Sequence, residues 1–541
     1  MAVVKKILIF VLLVVLAQLF FAGAAYAEPP AKAEVKSKPA DAGKEVLSAD
    51  VFVSGKEGYN TFRVPSLVVT KAGTLLTFCE GRKSGRGDSG DIDVVLKRSK
   101  DGGRTWSGLK VVVDDGGNTC GNPCTVVDQH TGVVWLLCTW NHGIDTEVSI
   151  TKKTAKDTRR AYVCYSINDG VTWSKPKEIT AEAKNPEWTW YATGPGSGVQ
   201  LRLGEKKGRL VIPCDHKVTN DKIEYRSHVI YSDDHGKTWQ IGGQVDDGTG
   251  ECHVIERSDG TLLLNMRRSR RVGKTRRLVA SSSDAGKTWS KYSADETLVG
   301  PRCQSSMIRY TLANSCEKPI VLHCNPADEN IRNKMTLRVS TDDAKSWAYS
   351  KVLYKGPGAY SAMGVLPDGR VAVLFETGRN HPYEKINFMS CSMEWLTGGK
   401  EKTIIPKPPV TRFSMNKKGL VDKAVDTVSF EAAVESEQTT GHPAGFEPNS
   451  VDNTAIITTN PVGVGGGALC ITADINDGGS VRIVVADEKS NTLASSRPIN
   501  ETSKEALVSW QEGWDFSTIR GKKIRLKFVF EKARLYEFQI R

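Results

Sequence analysis

The sequence has few histidines and no closely spaced cysteine pair of the kind that binds zinc. Its nine histidines form no HExxH motif, and of its twelve cysteines only Cys120 and Cys124 lie close together. Zinc sites are recognised by such spacings, so a metal-dependent hydrolase is disfavoured and no cofactor is expected. Several cysteines lie in apolar strand-like segments, TLLTFCE and VVWLLCTW among them, where burial is expected.

Only one long uncharged apolar run occurs in the chain, from Ile7 to about Ala22. Two lysines precede it, and the small-residue segment Ala25-Tyr26-Ala27 follows it. This order is typical of a secretory signal peptide, residues 1–27, cleaved after Ala27. We therefore expect a secreted or periplasmic protein without stable membrane insertion, with an uncleaved anchor as the alternative because the run nearly reaches spanning length. Residues 28–48, rich in Ala, Lys, Glu and Pro, are expected to form a linker.

Charge is not concentrated along the chain, with one exception. The formal net charge is +12, and it falls to +10 without the two lysines of the leader. The exception is RRSRRVGKTRR (267–277), which has six arginines in eleven positions. We expect an exposed hairpin loop there, with binding of an acidic polymer as the alternative. An exported chain is not expected to bind nucleic acid.

A short motif recurs through the first two thirds of the chain. Four copies share the form Ser-x-Asp-x-Gly-x-Thr-Trp and a fifth is weaker: SKDGGRTW (99–106), SINDGVTW (166–173), SDDHGKTW (232–239), SSDAGKTW (282–289) and STDDAKSW (340–347). The second copy has Asn168 for Asp, and the fifth has Ala344 for Gly and Ser346 for Thr. Ser and Asp side chains bond turn amides, Gly supplies positive φ, and Trp packs beneath. We interpret these boxes as structural turns rather than calcium or sugar sites.

The spacing of the boxes predicts the architecture. They lie 50 to 67 residues apart among short alternating segments such as RLVIPC and RVAVLFE, which fits one four-stranded blade per box. Beyond a Pro-rich joint at 404–412 no box follows, and KKIRLKFVFEKARLYEFQI alternates, with Ile524, Leu526, Phe528 and Phe530 on one face. The fold expected is all-β: a propeller at 49–403 followed by a β-sandwich-like accessory domain at 413–541. Trp510 and Trp514 are expected in the core of that domain rather than in a sugar site.

One arginine lies in a segment that otherwise suits a buried strand, YNTFRVPSL (59–67). Phe62, Val64 and Leu67 suit a strand near a core, and Pro65 is expected to end its ladder pairing. A guanidinium does not neutralise, so a partly buried Arg63 must hold an anion.

FRVP followed by the boxes resembles the exo-sialidase (neuraminidase) family of six-bladed propellers, over about residues 48–400. The resemblance implies an exo-α-sialidase, a glycoside hydrolase that releases terminal sialic acids from sialylated glycans or glycolipids. It also implies a retaining mechanism through a tyrosyl-enzyme intermediate, without metal. Five boxes for six blades is usual in this family.

The resemblance further implies that three arginines bind the sialic acid carboxylate. They are Arg63 of FRVP, Arg267 of LLLNMRR and Arg332 of NIRNKMTLRVS. A guanidinium donates two parallel hydrogen bonds to a carboxylate, so three arginines together hold that anion in one orientation. Glu376 in AVLFETG matches the glutamate that holds the first arginine when substrate is absent. An ordinary strand-end carboxylate is the alternative for Glu376.

The expected nucleophile follows from the charge of the substrate. The anomeric carbon bears the carboxylate, so an anionic nucleophile would be repelled, whereas a tyrosine hydroxyl with a nearby base would not. Tyr360 in GPGAYSAMGVLPDGR and Glu251 in GTGECHVIERSDG match this pair in the family. The offset of 16 residues between Glu251 and Arg267 fits a hairpin.

The acid/base is expected a few residues after CEGR, where Asp88 in RKSGRGDSGDID fits best. The Gly- and Ser-rich loop around it suits a mobile lid whose Asp protonates the leaving oxygen. Asp91 and Asp93 are competitors, expected instead to cap or pair at the start of the next strand. Arg82 matches a neighbour that lines the carboxylate or the O4 side.

Two further residues match family contacts to the glycerol and N-acetyl arms: Asn122 of GNPC and Tyr191 of WYATGPGSG. Asp215 is a weaker candidate. Three alternatives stay open: a trans-sialidase, which needs an aromatic acceptor platform; an enzyme for another 2-keto sugar acid such as a deaminated sialic acid; and a non-catalytic sialic-acid-binding propeller. The last would be expected to lack one of the three catalytic candidates.

Overall fold

The computed structural model describes residues 46–269, 275–312 and 318–404, and, of 411–540, all but 416–420, 423–434, 438, 443–444, 449–453, 459–461, 465–467, 488–490 and 512–513. The expected signal peptide, nearly all of the expected linker and most of the Pro-rich joint lie outside the described residues. No helix in the described part is long and apolar enough to cross a bilayer.

Before residue 404 the described strands pair mainly in antiparallel sets of four. After β1 (Leu47–Val53), the first set comprises β2 (Thr61–Val69), β3 (Leu75–Arg82), β4 (Ile92–Ser99) and β5 (Lys110–Val113). The second comprises β6 (Thr119–Val127), β7 (Val134–Asn141), β8 (Arg160–Ser166) and β9 (Lys177–Glu178). The third comprises β10 (Trp188–Thr193), β13 (Leu210–Thr219), β14 (Ile223–Ser232) and β15 (Gln240–Gln244), with β11 (Gly196–Ser197) beside β6 and β12 (Val199–Gln200) beside β13.

The remaining sets complete the N-terminal part of the chain. The fourth comprises β16 (Thr249–Glu256), β17 (Leu262–Arg268), β18 (Arg276–Ser282) and β19 (Ser293–Val299). The fifth comprises β20 (Ser306–Arg309), β21 (Val321–Pro326), β22 (Asn333–Ser340) and the first half of β23 (Tyr349–Val365). The sixth comprises the second half of β23, β24 (Val371–Thr377), β25 (Lys385–Cys391) and β1.

The first strand of the chain closes the last set. β1 pairs antiparallel with β25, and apolar side chains of the first and last sets share one core: Phe62 and Leu75 pack with Leu374 and Phe388. We infer six blades in a closed ring from this pairing, an arrangement that leaves few unpaired edges. The all-β prediction is confirmed, since the described helices are three short ones: α1 (Glu147–Thr151), α2 (Thr180–Ala183) and α3 (Met393–Thr397).

The five boxes adopt one turn. In each, the Ser hydroxyl accepts the N–H of the fifth box residue at 2.8–2.9 Å. The Asp or Asn side chain accepts the N–H of the seventh at 2.9 Å. Ala344 in the weak fifth copy takes the left-handed conformation that Gly has in the others, with φ of +62°, so the substitution leaves the turn intact. The structural interpretation of the boxes is confirmed.

The predicted loop at 267–277 connects two paired strands. β17 ends at Arg268, β18 begins at Arg276, and the two are antiparallel, so the ends of a hairpin are in place. Residues 270–274 lie outside the described part. The described cysteines are all buried and none is in a disulfide, as expected for Cys79 and Cys138 in their apolar strands.

The C-terminal part is also built from strands. They are β26 (Thr411–Met415), β27 (Val421–Asp422), β28 (Glu435–Glu437), β29 (Thr439–His442), β30 (Gly445–Pro448), β31 (Thr454–Thr458), β32 (Val462–Gly463), β33 (Leu469–Ala486), β34 (Thr492–Ser495), β35 (Ser503–Leu507) and β36 (Lys523–Ile540), with a 3-10 turn at Phe516–Ile519. β33 and β36 pair along most of their length. Their buried faces form a core that includes Ile524, Leu526 and Phe528, and Trp510 and Trp514 pack against it.

Candidate active site

A β-bulge in β2 positions the first candidate arginine. The pairing of β2 with β3 shifts register between Arg63 and Ser66, and Val64 has φ of +60°. The bulge accommodates Pro65, which has no N–H to donate, and the ladder resumes at Ser66. The prediction that Pro65 ends the pairing is therefore wrong, because a bulge tolerates the missing donor. A positive φ is costly for a β-branched residue, and here Glu376 binds the Val64 N–H at 2.7 Å.

Arg63 is buried against Glu376. Its Nε and Nη2 donate to the two carboxylate oxygens of Glu376 at 3.2 and 3.5 Å, and the Tyr360 N–H donates to the same carboxylate at 3.1 Å. Burial lowers the pKa of Arg63, but the charge of Glu376 outweighs it and the pKa lies well above its ordinary value. Glu376 thus fixes a cationic Arg63 and the backbone of Tyr360 together.

Tyr360 lies among all three candidate arginines. Its ring centroid is 5.0 Å from Cζ of Arg63 and 5.4 Å from Cζ of Arg332, and Nη1 of Arg267 is 3.4 Å from its hydroxyl oxygen. The hydroxyl donates to Oε1 of Glu251. Burial, and next the charge of Glu251, raise the pKa of Tyr360 well above its ordinary value, against the opposing effect of the arginines. Tyr360 is therefore a neutral phenol whose hydroxyl is hydrogen-bonded to the carboxylate of Glu251.

Glu251 and Arg267 lie on the predicted hairpin. β16 and β17 are antiparallel, with Thr249 opposite Arg268, and Nη1 of Arg267 donates to Oε2 of Glu251 at 2.5 Å. Glu251 and Arg267, 16 residues apart in the sequence, are therefore in contact, as the predicted hairpin requires. Arg267 holds the carboxylate so that its other oxygen faces Tyr360.

Tyr383, which the sequence reasoning missed, contacts two of the arginines. Cζ of Arg63 lies 4.0 Å from its ring centroid, and Nη1 of Arg332 donates to its hydroxyl at 2.5 Å. Nη2 of Arg332 donates to the carbonyl of Arg302 at 3.0 Å. Tyr383 lies in the short connection between β24 and β25, which follows the strand of Glu376. This proximity to Glu376 in the sequence could have indicated that Tyr383 lies near Arg63.

Asp88 lies in the loop after β3, between two arginines. Its carboxylate is 2.8 Å from Nη1 of Arg82 and 3.4 Å from Nη1 of Arg63, with the side chain 65% exposed. Partial desolvation raises the pKa of Asp88, yet the guanidinium charges of Arg82 and Arg63 outweigh it and hold the pKa below its ordinary value. The loop itself lines a cavity of about 160 Å³, with Arg82, Gly87 and Asp91 among the lining residues.

The two competing aspartates pair elsewhere. Nζ of Lys83 is 2.9 Å from Asp91 and 3.2 Å from Asp93, and the hydroxyl of Tyr59 donates to Asp93 at 2.6 Å. Both carboxylates are therefore committed to contacts at the start of β4, as expected. Asp88 is the one of the three in contact with the candidate arginines.

Glu80 is a second residue that the sequence reasoning missed. It accepts from Nε and Nη2 of Arg82 at 3.0 and 2.5 Å, and from the N–H of Asn122 at 2.7 Å. Asn122 has φ of +52°, so Glu80 holds both Arg82 and a left-handed backbone position. Glu80 and Arg82 are two apart on one strand and share a face, which would have linked them from CEGR alone.

The three remaining candidates, Asn122, Tyr191 and Asp215, have different surroundings in the structure. Asn122 lies beside Glu80 and Arg82, as above. Asp215 is buried near Glu251: burial, and next the charge of Glu251, raise the pKa of Asp215 well above its ordinary value. Tyr191 is fully buried in an apolar core, and its hydroxyl contacts Sγ of Cys214 at 3.4 Å. Strand β10 turns the Tyr191 side chain into this core, where burial, and after it Cys214 and the charge of Asp215, raise its pKa well above its ordinary value.

The fold and this geometry define a class of protein. An all-β propeller whose strands bring three arginines around a tyrosine and a glutamate has the features expected of a glycoside hydrolase for a carboxylated sugar.

The comparisons with known proteins agree. Residues 73–373 match the family described as the BNR repeat-like domain. The chain is 29% identical over 535 residues to a sialidase of Micromonospora viridifaciens, covering 92% of this chain and 80% of that one. It is 32% identical over 375 residues to an exo-alpha-sialidase of Aspergillus fumigatus, covering 63% and 86%. The solved Hadza microbial sialidase Hz136 is 28% identical, with a TM-score of 0.58 over 65% of this chain and 69% of that one. The chain belongs to the sialidase family.

Proposed function

We propose that the protein is a retaining exo-α-sialidase that hydrolyses terminal sialic acids from glycans through a covalent intermediate on Tyr360. The observation that carries the proposal is the position of one neutral tyrosine hydroxyl, bonded to Glu251 and surrounded by three arginines. A carboxylate nucleophile would be repelled by the substrate's own carboxylate, and this arrangement avoids that repulsion.

The arginines supply the binding energy and the orientation. Arg63 on β2, Arg267 on β17 and Arg332 just before β22 lie around Tyr360. Each is held by a partner on the protein: Glu376, Glu251 and Tyr383. Pre-positioned guanidinium groups lose little conformational freedom when the substrate carboxylate arrives. With the carboxylate bound there, the anomeric carbon lies next to the Tyr360 hydroxyl.

The first displacement uses three side chains. Glu251 takes the phenolic proton as Tyr360 attacks the anomeric carbon, and Asp88 gives a proton to the departing glycosidic oxygen. In the second displacement Asp88 takes a proton from water, which attacks the anomeric carbon and releases Tyr360, and Glu251 returns the proton to the phenolate oxygen. The two inversions together give net retention of configuration.

Substrate binding also prepares Asp88 to act as an acid. In the free protein Arg82 and Arg63 favour its ionised form. A substrate carboxylate at Arg63 offsets part of that positive charge, so the pKa of Asp88 rises in the complex. The proton is then available where the leaving oxygen lies.

We also propose that the chain has the organisation expected from the sequence. Residues 1–27 are removed on export, 49–403 form the catalytic propeller, and 413–541 form an accessory domain. Edman sequencing of the mature protein, with Glu28 as its first residue, tests the export step.

Release of sialic acid from an aryl sialoside by the purified chain tests the activity itself. We expect steady release that Tyr360→Phe abolishes. Absence of release at pH values from 4 to 8 (about the range over which carboxyl and imidazole groups titrate) would contradict the proposed function.

Asp88→Ala is expected to discriminate between leaving groups. An acidic phenol leaves without a proton, whereas a galactoside does not, so the variant should lose about 10²–10⁴-fold in kcat/KM on a sialyl-galactoside. It should largely spare formation of the intermediate from an activated aryl sialoside, measured as the burst of phenol.

Asp91→Ala and Asp93→Ala are the matched controls for this loop. Because they break contacts to Lys83 and Tyr59, they should lower the thermal unfolding temperature and affect both substrates equally. A leaving-group-dependent defect in Asp91→Ala, together with its absence in Asp88→Ala, would move the acid role to Asp91.

A further inference from the structure

Two buried arginines, one on a strand of the fourth set and one on a strand of the fifth, have no carboxylate within 4 Å among the described residues. Arg277 on β18 is 2% exposed and Arg338 on β22 is 7% exposed. Arg277 donates from Nε to Oδ1 of Asn265 at 2.7 Å and from Nη1 to the carbonyl of Cys303 at 2.9 Å. Arg338 donates to Oδ1 of Asn325 at 2.9 Å. Burial lowers the pKa of Arg338 and lowers that of Arg277 to about 10, and both stay cationic at neutral pH.

The carboxylates whose charges act on these two arginines are bonded to other groups. Glu251 acts on Arg277 and is ion-paired with Arg267. Asp295 acts on the other arginine and accepts from Nε1 of Trp347 at 2.9 Å. Two buried positive charges are therefore left without an anion in contact, within the part of the chain that the structure describes. Buried charges are normally paired, because an unpaired one is costly.

Two hydrogen-bond donors beside Arg277 also lack an acceptor in the described structure. They are Nη2 of Arg277 and Nδ2 of Asn265, and Asn265 is fully buried. The N–H groups of a guanidinium have a fixed fork geometry, in which Nη2 lies beside the Nε that bonds the Asn265 side chain. The two unpaired donors are therefore close neighbours. A buried donor without an acceptor costs free energy, and such a group indicates a bound water or ion.

His323 adds a third buried group of this kind. It is fully buried, and neither ring nitrogen has a hydrogen-bond partner among the described residues. In the pairing of β21 with β22, His323 lies directly opposite Arg338. Burial, and next the charges of Arg277 and Arg338, hold the pKa of His323 well below its ordinary value. The ring is therefore neutral, with one nitrogen that carries a hydrogen.

These polar groups face one interface between the fourth and fifth sets of strands. Leu263, Val279 and Val321 belong to one apolar cluster between the two sets, and each lies two residues from one of Asn265, Arg277 and His323. Side chains two apart on a strand share a face. The donors of all three groups therefore lie at the interface that this apolar cluster fills.

We propose that Asn265, Arg277, His323 and Arg338 bind a chloride ion between the fourth and fifth sets of strands. Arg277 and Asn265 donate their unpaired N–H groups to the ion, His323 donates its ring N–H, and Arg338 supplies a second positive charge. The ligand is an anion because these unpaired groups are donors beside two cations. It is small because the four side chains are at most 7% exposed.

The ion supports a segment that packs against Tyr360. The carbonyl of Cys303 accepts from Arg277 at 2.9 Å, and the hydroxyl of Ser305 donates to Asn265 at 3.3 Å. Cys303 in turn packs with Tyr360 in a small buried cluster. Because the ion binds the folded chain, chloride should stabilise the protein by mass action.

Thermal unfolding of the full chain tests the site when chloride replaces gluconate at constant ionic strength, which keeps charge screening equal. We expect the unfolding temperature to rise with chloride and to saturate after a gain of about 2 °C or more. Crystals grown with bromide in place of chloride should show anomalous scattering from an ion in contact with Arg277 and Asn265. An unfolding temperature independent of chloride, or crystals without that ion, would overturn the inference and leave water as the partner of these donors.

Asn265→Asp places a carboxylate beside Arg277, so the protein itself supplies the negative charge and the response to chloride should disappear. Arg277→Met removes the main donor and should abolish the response as well. Arg276→Met is the matched control, because Arg276 pairs with Glu296 and Glu329 and its loss should leave the rise intact. A full response in Asn265→Asp would contradict the inference even if Arg277→Met does not fold. These measurements do not require sialidase activity, so they test the ion site separately from the proposed function.

Discussion

Tyr360→Phe is expected to lower kcat/KM for a sialyl-galactoside by about 10³-fold or more, because it removes the nucleophile and leaves only binding and acid catalysis. The ring remains, so its contacts with Arg63 and Arg332 are kept and the affinity for a sialic acid analogue should change little. Steady-state kinetics and a binding titration measure the two effects separately.

Tyr354→Phe is the control on the same strand. Its hydroxyl donates to the carbonyl of Gly378 at 2.8 Å, outside the site, so the variant should keep near-normal kcat/KM. Glu251→Gln combined with Tyr360→Phe tests the pairing, since residues that act as a unit are not additive. Losses that multiply in the double variant would contradict the assignment of Glu251 as the base of Tyr360.

Replacing Arg63, Arg267 or Arg332 by lysine is expected to weaken transition-state binding by roughly 2–4 kcal/mol. Lysine keeps the positive charge but cannot donate the two parallel hydrogen bonds of a guanidinium. This weakening corresponds to a fall in kcat/KM of about 30- to 1000-fold. Because Arg63 also holds Glu376, Arg63→Lys should in addition lower the thermal unfolding temperature.

Arg98→Lys serves as the control for these substitutions. Arg98 bonds to Asp169 in the second box, so lysine there should affect stability only. Near-normal kcat/KM in Arg332→Lys would remove Arg332 from the carboxylate site.

The fold was predictable because its signal is local and repeated. Each box places its own Ser, Asp and Gly within eight residues, and the turn forms from those residues alone, even where Ala344 replaces Gly. The hairpin of Glu251 and Arg267 was predictable for the same reason. Pro65 was misread because a bulge, which depends on the partner strand, allows a ladder to continue past a residue without an N–H.

The missed residues act across large separations in the chain. Tyr383 lies far from Arg63 in sequence, and Glu80 bonds a backbone group of Asn122 on the next set of strands. No spacing rule links such pairs, because they meet only when separate sets of strands pack side by side. Tyr191 as a substrate contact stays a prediction: Thr193 on the same strand donates to the carbonyl of Asn122, whereas the Tyr191 side chain packs in the core.

Proton NMR of the first product tests the central claim, a double displacement at Tyr360, most directly. Two inversions at the anomeric carbon release the α anomer, which then mutarotates to the β form. We predict that signals of the α anomer appear first and that those of the β anomer follow at the rate of mutarotation. Appearance of the β anomer first would show a single displacement by water and would contradict the tyrosyl intermediate.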